Sequence, residues 1–98
     1  MSVVIVLELP GMTQAQYEQC VERLTGRPGP MTSTSDWPVA GIVSHVAAPT
    51  SDGWLVVDVW ESEEAFREFG ETVVPILQDL GVPDAQPRLY PVINAVTG

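Results

Sequence analysis

The run WLVVDVW, residues 54–60, is apolar on both parities. Successive side chains of a strand point to opposite faces. Leu55, Val57 and Val59 therefore face one way, and Trp54, Val56, Asp58 and Trp60 the other. The run VVIVLEL, residues 3–9, behaves alike, with Val3, Ile5 and Leu7 on one side and Val4 and Val6 on the other. A strand with one wet face alternates apolar and polar residues. These strands do not, so both faces of their sheet call for cover. Charged residues make up only 17% of the chain, below the ~25% typical of globular proteins. The 98 residues fit one compact domain, 1–98, with a modest core. Helices of the same chain can cover one face, and a second copy is the economical cover for the other.

The remaining elements follow from local signals. Pro10-Gly11 ends the first strand. Thr13 and Gln16 have the spacing of a capping box. Tyr17, Cys20, Val21 and Leu24 then recur at helical period, up to Gly26. Residues 26–40, GRPGPMTSTSDWPVA, show no period and contain three prolines. So long a loop in a small domain is usually functional, and Met31 and Trp37 suggest that it folds down as a lid. GIVSHVAA, 41–48, is a second strand, PTSDG a turn, and WLVVDVWE, 54–61, a third strand. A second helix is expected over 62–80, capped by Ser62, with Glu63 and Glu64 where the dipole favours anions. Pro75 predicts a kink or break near Val74, and Gly81 suits the position after the helix. Residues 82–87 read as a loop and 88–96, RLYPVINAV, as a fourth strand, at an edge because of Pro91. The order is βαββαβ. It defines an α+β, ferredoxin-like fold with a four-stranded antiparallel sheet and two helices on one face.

Against this apolar pattern stand the only histidine, His45 on the second strand, and Asp58 on the third. The five-residue turn allows Ala48 to pair near Leu55, which sets His45 opposite Asp58 on one face. A slip of one residue would separate them. The expected face also carries Val43, Ala47, Trp54, Val56 and Trp60. A carboxylate on one imidazole nitrogen fixes the tautomer and leaves the other nitrogen to take or give a proton. His45 and Asp58 are thus the candidate catalytic residues, and a satisfied buried ion pair is the structural alternative. Tyr17 either aims its phenol into a cavity from the first helix or belongs to the core stripe. Phe66 and Phe69 would roof that cavity or simply pack, Trp60 would wall it or lie in the core, and Trp37 would close it or cap the dimer edge. Asn94, an amide within VINAV, would orient a ligand carbonyl. Cys20, on the apolar stripe, reads as a structural thiol.

The stretches PGMTQAQYEQ and GWLVVDVWESEEAFREF, with this order of elements, resemble the dimeric α/β-barrel superfamily and its antibiotic-biosynthesis-monooxygenase-like proteins. The resemblance spans nearly the whole chain outside 26–40. It implies two sheets facing each other in a homodimeric barrel, with a ligand cavity between sheet and helices of each subunit. Similar proteins include cofactor-free oxygenases of aromatic polyketides, cyclases, lactone isomerases and haem-degrading enzymes. The haem-degrading branch uses a histidine from the second helix, and residues 62–80 contain none.

Composition narrows the choice. Thirteen acids face four arginines, with no lysine and a net charge of −9. No basic stripe exists for nucleic acid or an anionic membrane. No lysine can form a Schiff base. One histidine and one cysteine leave no metal-ligand set beyond carboxylates, and no glycine-rich dinucleotide motif occurs. The expectation is therefore a chain without cofactor or metal. Without a leader-like start or an apolar span, a cytoplasmic setting is expected. Two functions stay open. One is a monooxygenase or cyclase/isomerase that acts on a small apolar, aromatic or polyketide-like molecule by His45–Asp58 acid–base chemistry. The other is a non-catalytic homodimer that binds a ligand or partner.

Overall fold

The computed structural model describes residues 1–82 and 84–97. Strands β1 (Val3–Pro10), β2 (Ile42–Pro49), β3 (Gly53–Trp60) and β4 (Arg88–Pro91) alternate with helices α1 (Gln14–Thr25) and α2 (Glu63–Asp79) in the order βαββαβ. The sheet runs β2-β3-β1-β4, antiparallel throughout. This is the ferredoxin-like arrangement expected from the sequence. No helix among the described residues is long and apolar enough to cross a membrane.

The helix ends form as their sequences dictate. Thr13 Oγ1 accepts from the Gln16 amide at 3.1 Å, and Gln16 Oε1 accepts from the Thr13 amide at 2.9 Å. This reciprocal pair fixes where α1 starts. Gln16 also donates through Nε2 to the Leu80 carbonyl, 3.2 Å away at the end of α2. Helix α2 begins on Ser62, whose hydroxyl accepts from the Ala65 amide at 3.1 Å. It closes at Gly81, in the left-handed region at φ +79°. There the Gly81 amide bonds Gln78 and the Val82 amide bonds Leu77 at 2.9 Å, which is a Schellman closure.

The core lies between the helices and one face of the sheet. Ile5, Val21 and Trp60 are its most completely buried large side chains, with Trp60 at 0% exposure. Cys20, Leu24, Trp37, Ile42 and Phe69 complete this cluster. Leu9, Met12, Trp54 and Val82 form a second cluster at the other end, and Tyr17 packs against both. At the β2–β3 turn, β3 passes so close to β1 that a Cβ on Gly53 would lie 2.2 Å from the Leu9 carbonyl oxygen. Only glycine fits there.

Three expectations need correction. A bulge between Ile42 and Ser44 places Ile42, not Val43, on the covered face, and Val43 is 47% exposed. The extra residue of a bulge shifts the parity of the chain before it. Helix α2 runs unbroken through Pro75. Pro75 and Glu71 are both exposed, so water can take the hydrogen bond that Pro75 cannot supply. Strand β4 stops at Pro91 instead of reaching 96, and beyond it only the Val92 amide bonds back, to Ser2. The 82–87 segment carries no regular structure among its described residues, and residue 83 lies outside them.

The second face of the sheet carries Val4, Val6, Leu55, Val57, Val59 and Val46 by register. Val46 is 59% exposed there.

Candidate active site

Strand β3 presents Asp58 to the covered face, and the β2–β3 register sets His45 directly opposite it. The expected pairing holds. His45 Nδ1 lies 2.7 Å from Asp58 Oδ1. The other carboxylate oxygen, Oδ2, accepts from the indole Nε1 of Trp60 at 3.2 Å. Asp58 is 4% exposed, and both of its oxygens have donors. A buried carboxylate needs such partners to remain an anion.

The Asp58 contact makes Nδ1 the protonated nitrogen of the neutral ring and leaves Nε2 as an acceptor. Tyr17 Oη lies 2.6 Å from Nε2, so the phenol donates to it. The two rings are nearly parallel, at 8°. Trp54 stacks on the Tyr17 ring, with centroids 5.0 Å apart. Tyr17, His45, Asp58 and Trp60 thus form one hydrogen-bonded line from α1 through β2 to β3. Burial first, then the Asp58 charge and Cys20, push the Tyr17 phenol up to about 12. It stays protonated at neutral pH. Burial likewise pushes the Cys20 thiol up to about 11, against the lowering pull of Arg23, which suits an inert core thiol.

The line ends in a cavity of about 1060 Å³, a size that holds small organic ligands. Tyr17, His45, Asp58, Trp37, Phe66 and Phe69 surround its polar end, and Ile5, Leu7 and Val56 floor it. The exposed lining residues Glu71 and Gln78 belong to α2, and Asp84 and Gln86 to the segment before β4. The opening therefore lies between these elements.

The long loop does fold down. Trp37 is 7% exposed, and its ring lies 5.0 Å from His45 and 5.7 Å from Phe69. Asp36 fastens the loop. Its Oδ2 accepts from the Thr32 and Ser33 amides at 2.9 and 3.2 Å and from Arg27 at 2.5 Å. Thr32 and Arg27 in that order, with Ser33 adding to them, hold the Asp36 carboxyl down at about 2, against slight desolvation. The indole N–H groups of Trp37 and Trp54 are buried without a partner among the described residues.

The structure thus gathers Tyr17, Trp37, His45, Asp58 and Phe69 around one space. It leaves out two residues that the sequence had assigned to binding. Trp60 lies beneath Phe66 and Phe69 and does not line the cavity; its polar edge holds Asp58 instead. Asn94 is exposed and outside β4, because the ladder that would have carried it inward ends at Pro91. The Tyr17–His45 contact was not expected. Its one sequence signal was the capping box, which fixes the helix start immediately before Tyr17.

SnoaB, a cofactor-independent oxygenase from Streptomyces nogalater, superposes with a TM-score of 0.59 at 13% identity, over 99% of this chain and 96% of its own. The ActVA-Orf6 monooxygenase of Streptomyces coelicolor, solved with the ligand nanaomycin D, superposes at 0.54 and 23% identity, over 99% and 91%. Rv0793 from Mycobacterium tuberculosis does so at 0.60 and 12% identity, over 98% of both chains. The chain shares its fold with these proteins and, at a TM-score of 0.61 and 14% identity, with an antibiotic-biosynthesis-monooxygenase-like protein from Chloroflexus aurantiacus. No protein-family model matches the chain, and no curated protein matches it in sequence. At these identities the likeness is one of architecture, and a shared architecture does not select a reaction.

Proposed function

We propose that this chain is an enzyme that moves protons on a small, planar, apolar substrate without a cofactor. The observation that carries this reading is His45, held between Asp58 and Tyr17 at the polar end of an otherwise apolar cavity. Asp58 orients the imidazole and supports the imidazolium that forms. The buried, partnerless N–H of Trp37 offers a donor that a ligand carbonyl would satisfy. An aryl ketone or hydroxyaryl ketone meets both demands. Loss of a proton next to the carbonyl gives an enolate. Reprotonation at another atom completes an isomerisation, and attack on an internal carbonyl completes a cyclisation. Addition of molecular oxygen gives a hydroperoxide, whose loss of water leaves a new ketone. The oxygen-dependent branch corresponds to the activity of SnoaB and ActVA-Orf6, which share this fold.

A homodimer completes this picture. The apolar second face of β1, β2 and β3 suits a second copy of the same sheet.

The test is turnover of a panel of aryl ketones, in air and under argon, by wild type, His45→Ala and Asp58→Ala. General acid–base catalysis contributes on the order of 10²–10⁴-fold, so both variants should lose at least about 10²-fold. Full turnover by both would sink the proposal.

A further inference from the structure

The geometry points to Tyr17 as the catalytic residue that exchanges the proton with the substrate, with His45 acting as the base behind it. This inference rests on the acid–base reading above and names its contact atom. Both ring nitrogens of His45 are already engaged, Nδ1 by Asp58 at 2.7 Å and Nε2 by Tyr17 at 2.6 Å. Trp37 lies against the ring, 5.0 Å between centroids, and the His45 side chain is only 10% exposed. A substrate cannot reach Nε2 without displacing the phenol. A phenol oxygen has two acceptor sites and one donor. Its hydrogen points to Nε2, which leaves its acceptor sites for a substrate C–H or O–H.

The step balances without a co-reactant. The substrate C–H bond breaks and its electron pair stays on the substrate as an enolate. The proton bonds to Tyr17 Oη while the original phenol proton passes to His45 Nε2. Tyr17 ends neutral, and the positive charge rests on an imidazolium beside the Asp58 carboxylate. Reversal at a different substrate atom restores the enzyme. Tyr17 never carries a full charge, which suits a phenol that burial keeps protonated to about 12. The placement is rigid. The capping box sets the first turn of α1, and Trp54 stacks on the Tyr17 ring.

Tyr17→Phe separates this relay from direct attack by His45, because it removes the hydroxyl and uncovers Nε2. The probe is 2-tetralone, a neutral bicyclic ketone with an acidic methylene. Its deuterium exchange in D₂O under argon is followed by proton NMR, and its binding by calorimetry. Wild type is expected to accelerate exchange. Tyr17→Phe should lose on the order of 10²-fold and still bind 2-tetralone within about threefold of wild type. His45→Gln should lose as much. Exchange by Tyr17→Phe at or above the wild-type rate, with His45→Gln slow, would overturn the role of Tyr17 and keep the acid–base reading. A wild type no faster than His45→Gln would overturn both. Should Tyr17→Phe fold poorly, 3-fluorotyrosine incorporated in a Tyr90→Phe background alters phenol acidity with the ring in place. A shift in the exchange rate and its pH profile is expected, and an unchanged profile would also remove Tyr17 from the reaction.

Discussion

Trp60→Phe tests whether the core and the candidate site share one residue. Trp60 is fully buried, and its Nε1 is the donor to Asp58 Oδ2 at 3.2 Å. Two costs add. Losing a hydrogen bond to a charged group costs about 1.5–3 kcal/mol. Shrinking an indole to a phenyl in a site that cannot collapse adds about 1 kcal/mol. The sum is about 2.5–4 kcal/mol, a large share of the ~5–15 kcal/mol that holds a small domain together. With a urea slope of about 1.5 kcal/mol/M, the midpoint should fall by about 2 M. The assay is urea unfolding followed by far-ultraviolet circular dichroism at fixed protein concentration, on Trp60→Phe, Asp58→Asn and the double variant. The hydrogen-bond part should vanish in the Asp58→Asn background, leaving a coupling of at least about 1 kcal/mol. Strict additivity would show that Trp60 supports Asp58 in no energetic sense and that the contact is incidental to packing.

Three further outcomes are expected. Asp58→Asn removes a negative charge that opposes phenolate formation, so the Tyr17 pKa should fall below about 12 toward that of an ordinary phenol. Carbon-13 NMR of labelled tyrosine reads this, and an unmoved value would mean that the charge is not felt. Asp36 is depressed from 3.8 to about 2, so the native state binds its proton less readily than the unfolded chain. Its contribution to stability is then complete above the unfolded value and is lost as pH falls through about 2. Asp36→Asn should weaken the loop at neutral pH and flatten its acid response below pH 4, read by circular dichroism and tryptophan fluorescence; an identical acid profile would refute the clasp. Val57→Glu places a charge in the middle of the second sheet face, where burial against a second copy costs several kcal/mol. Sedimentation should find monomer for this variant and dimer for wild type, and a dimeric variant would remove that face from the assembly.

The fold was legible because period and punctuation agree along the chain. Strands alternate about short turns, and both helices carry caps at their starts. The His45–Asp58 pair was legible for the same reason, since a short hairpin turn fixes register and register fixes facing. What failed was information not carried by strand parity. Parity places Trp60 on the same face as Asp58, but the direction of its ring is set by Phe66 and Phe69 from α2. Asn94 followed a parity that ceases once Pro91 ends the ladder. Val43 followed one that the Ile42–Ser44 bulge resets. The Tyr17–His45 contact depends on how α1 is rotated over the sheet. That rotation is settled by packing against Trp54 and both core clusters, and the capping box sets only where α1 begins.

The side chain of Gln16 has a consequence for how a ligand enters. One amide caps the start of α1 and bonds the last turn of α2 through the Leu80 carbonyl. The two helix ends are therefore tied. The facing rim of the mouth carries Asp84 and Gln86, ahead of β4. Strand β4 is four residues long and pairs only with β1, from Val3 to Val6. Such a short edge opens at lower free energy than the central strands. The amides of this strand should exchange with solvent before those of β1 and β3, and a bound ligand should slow them first.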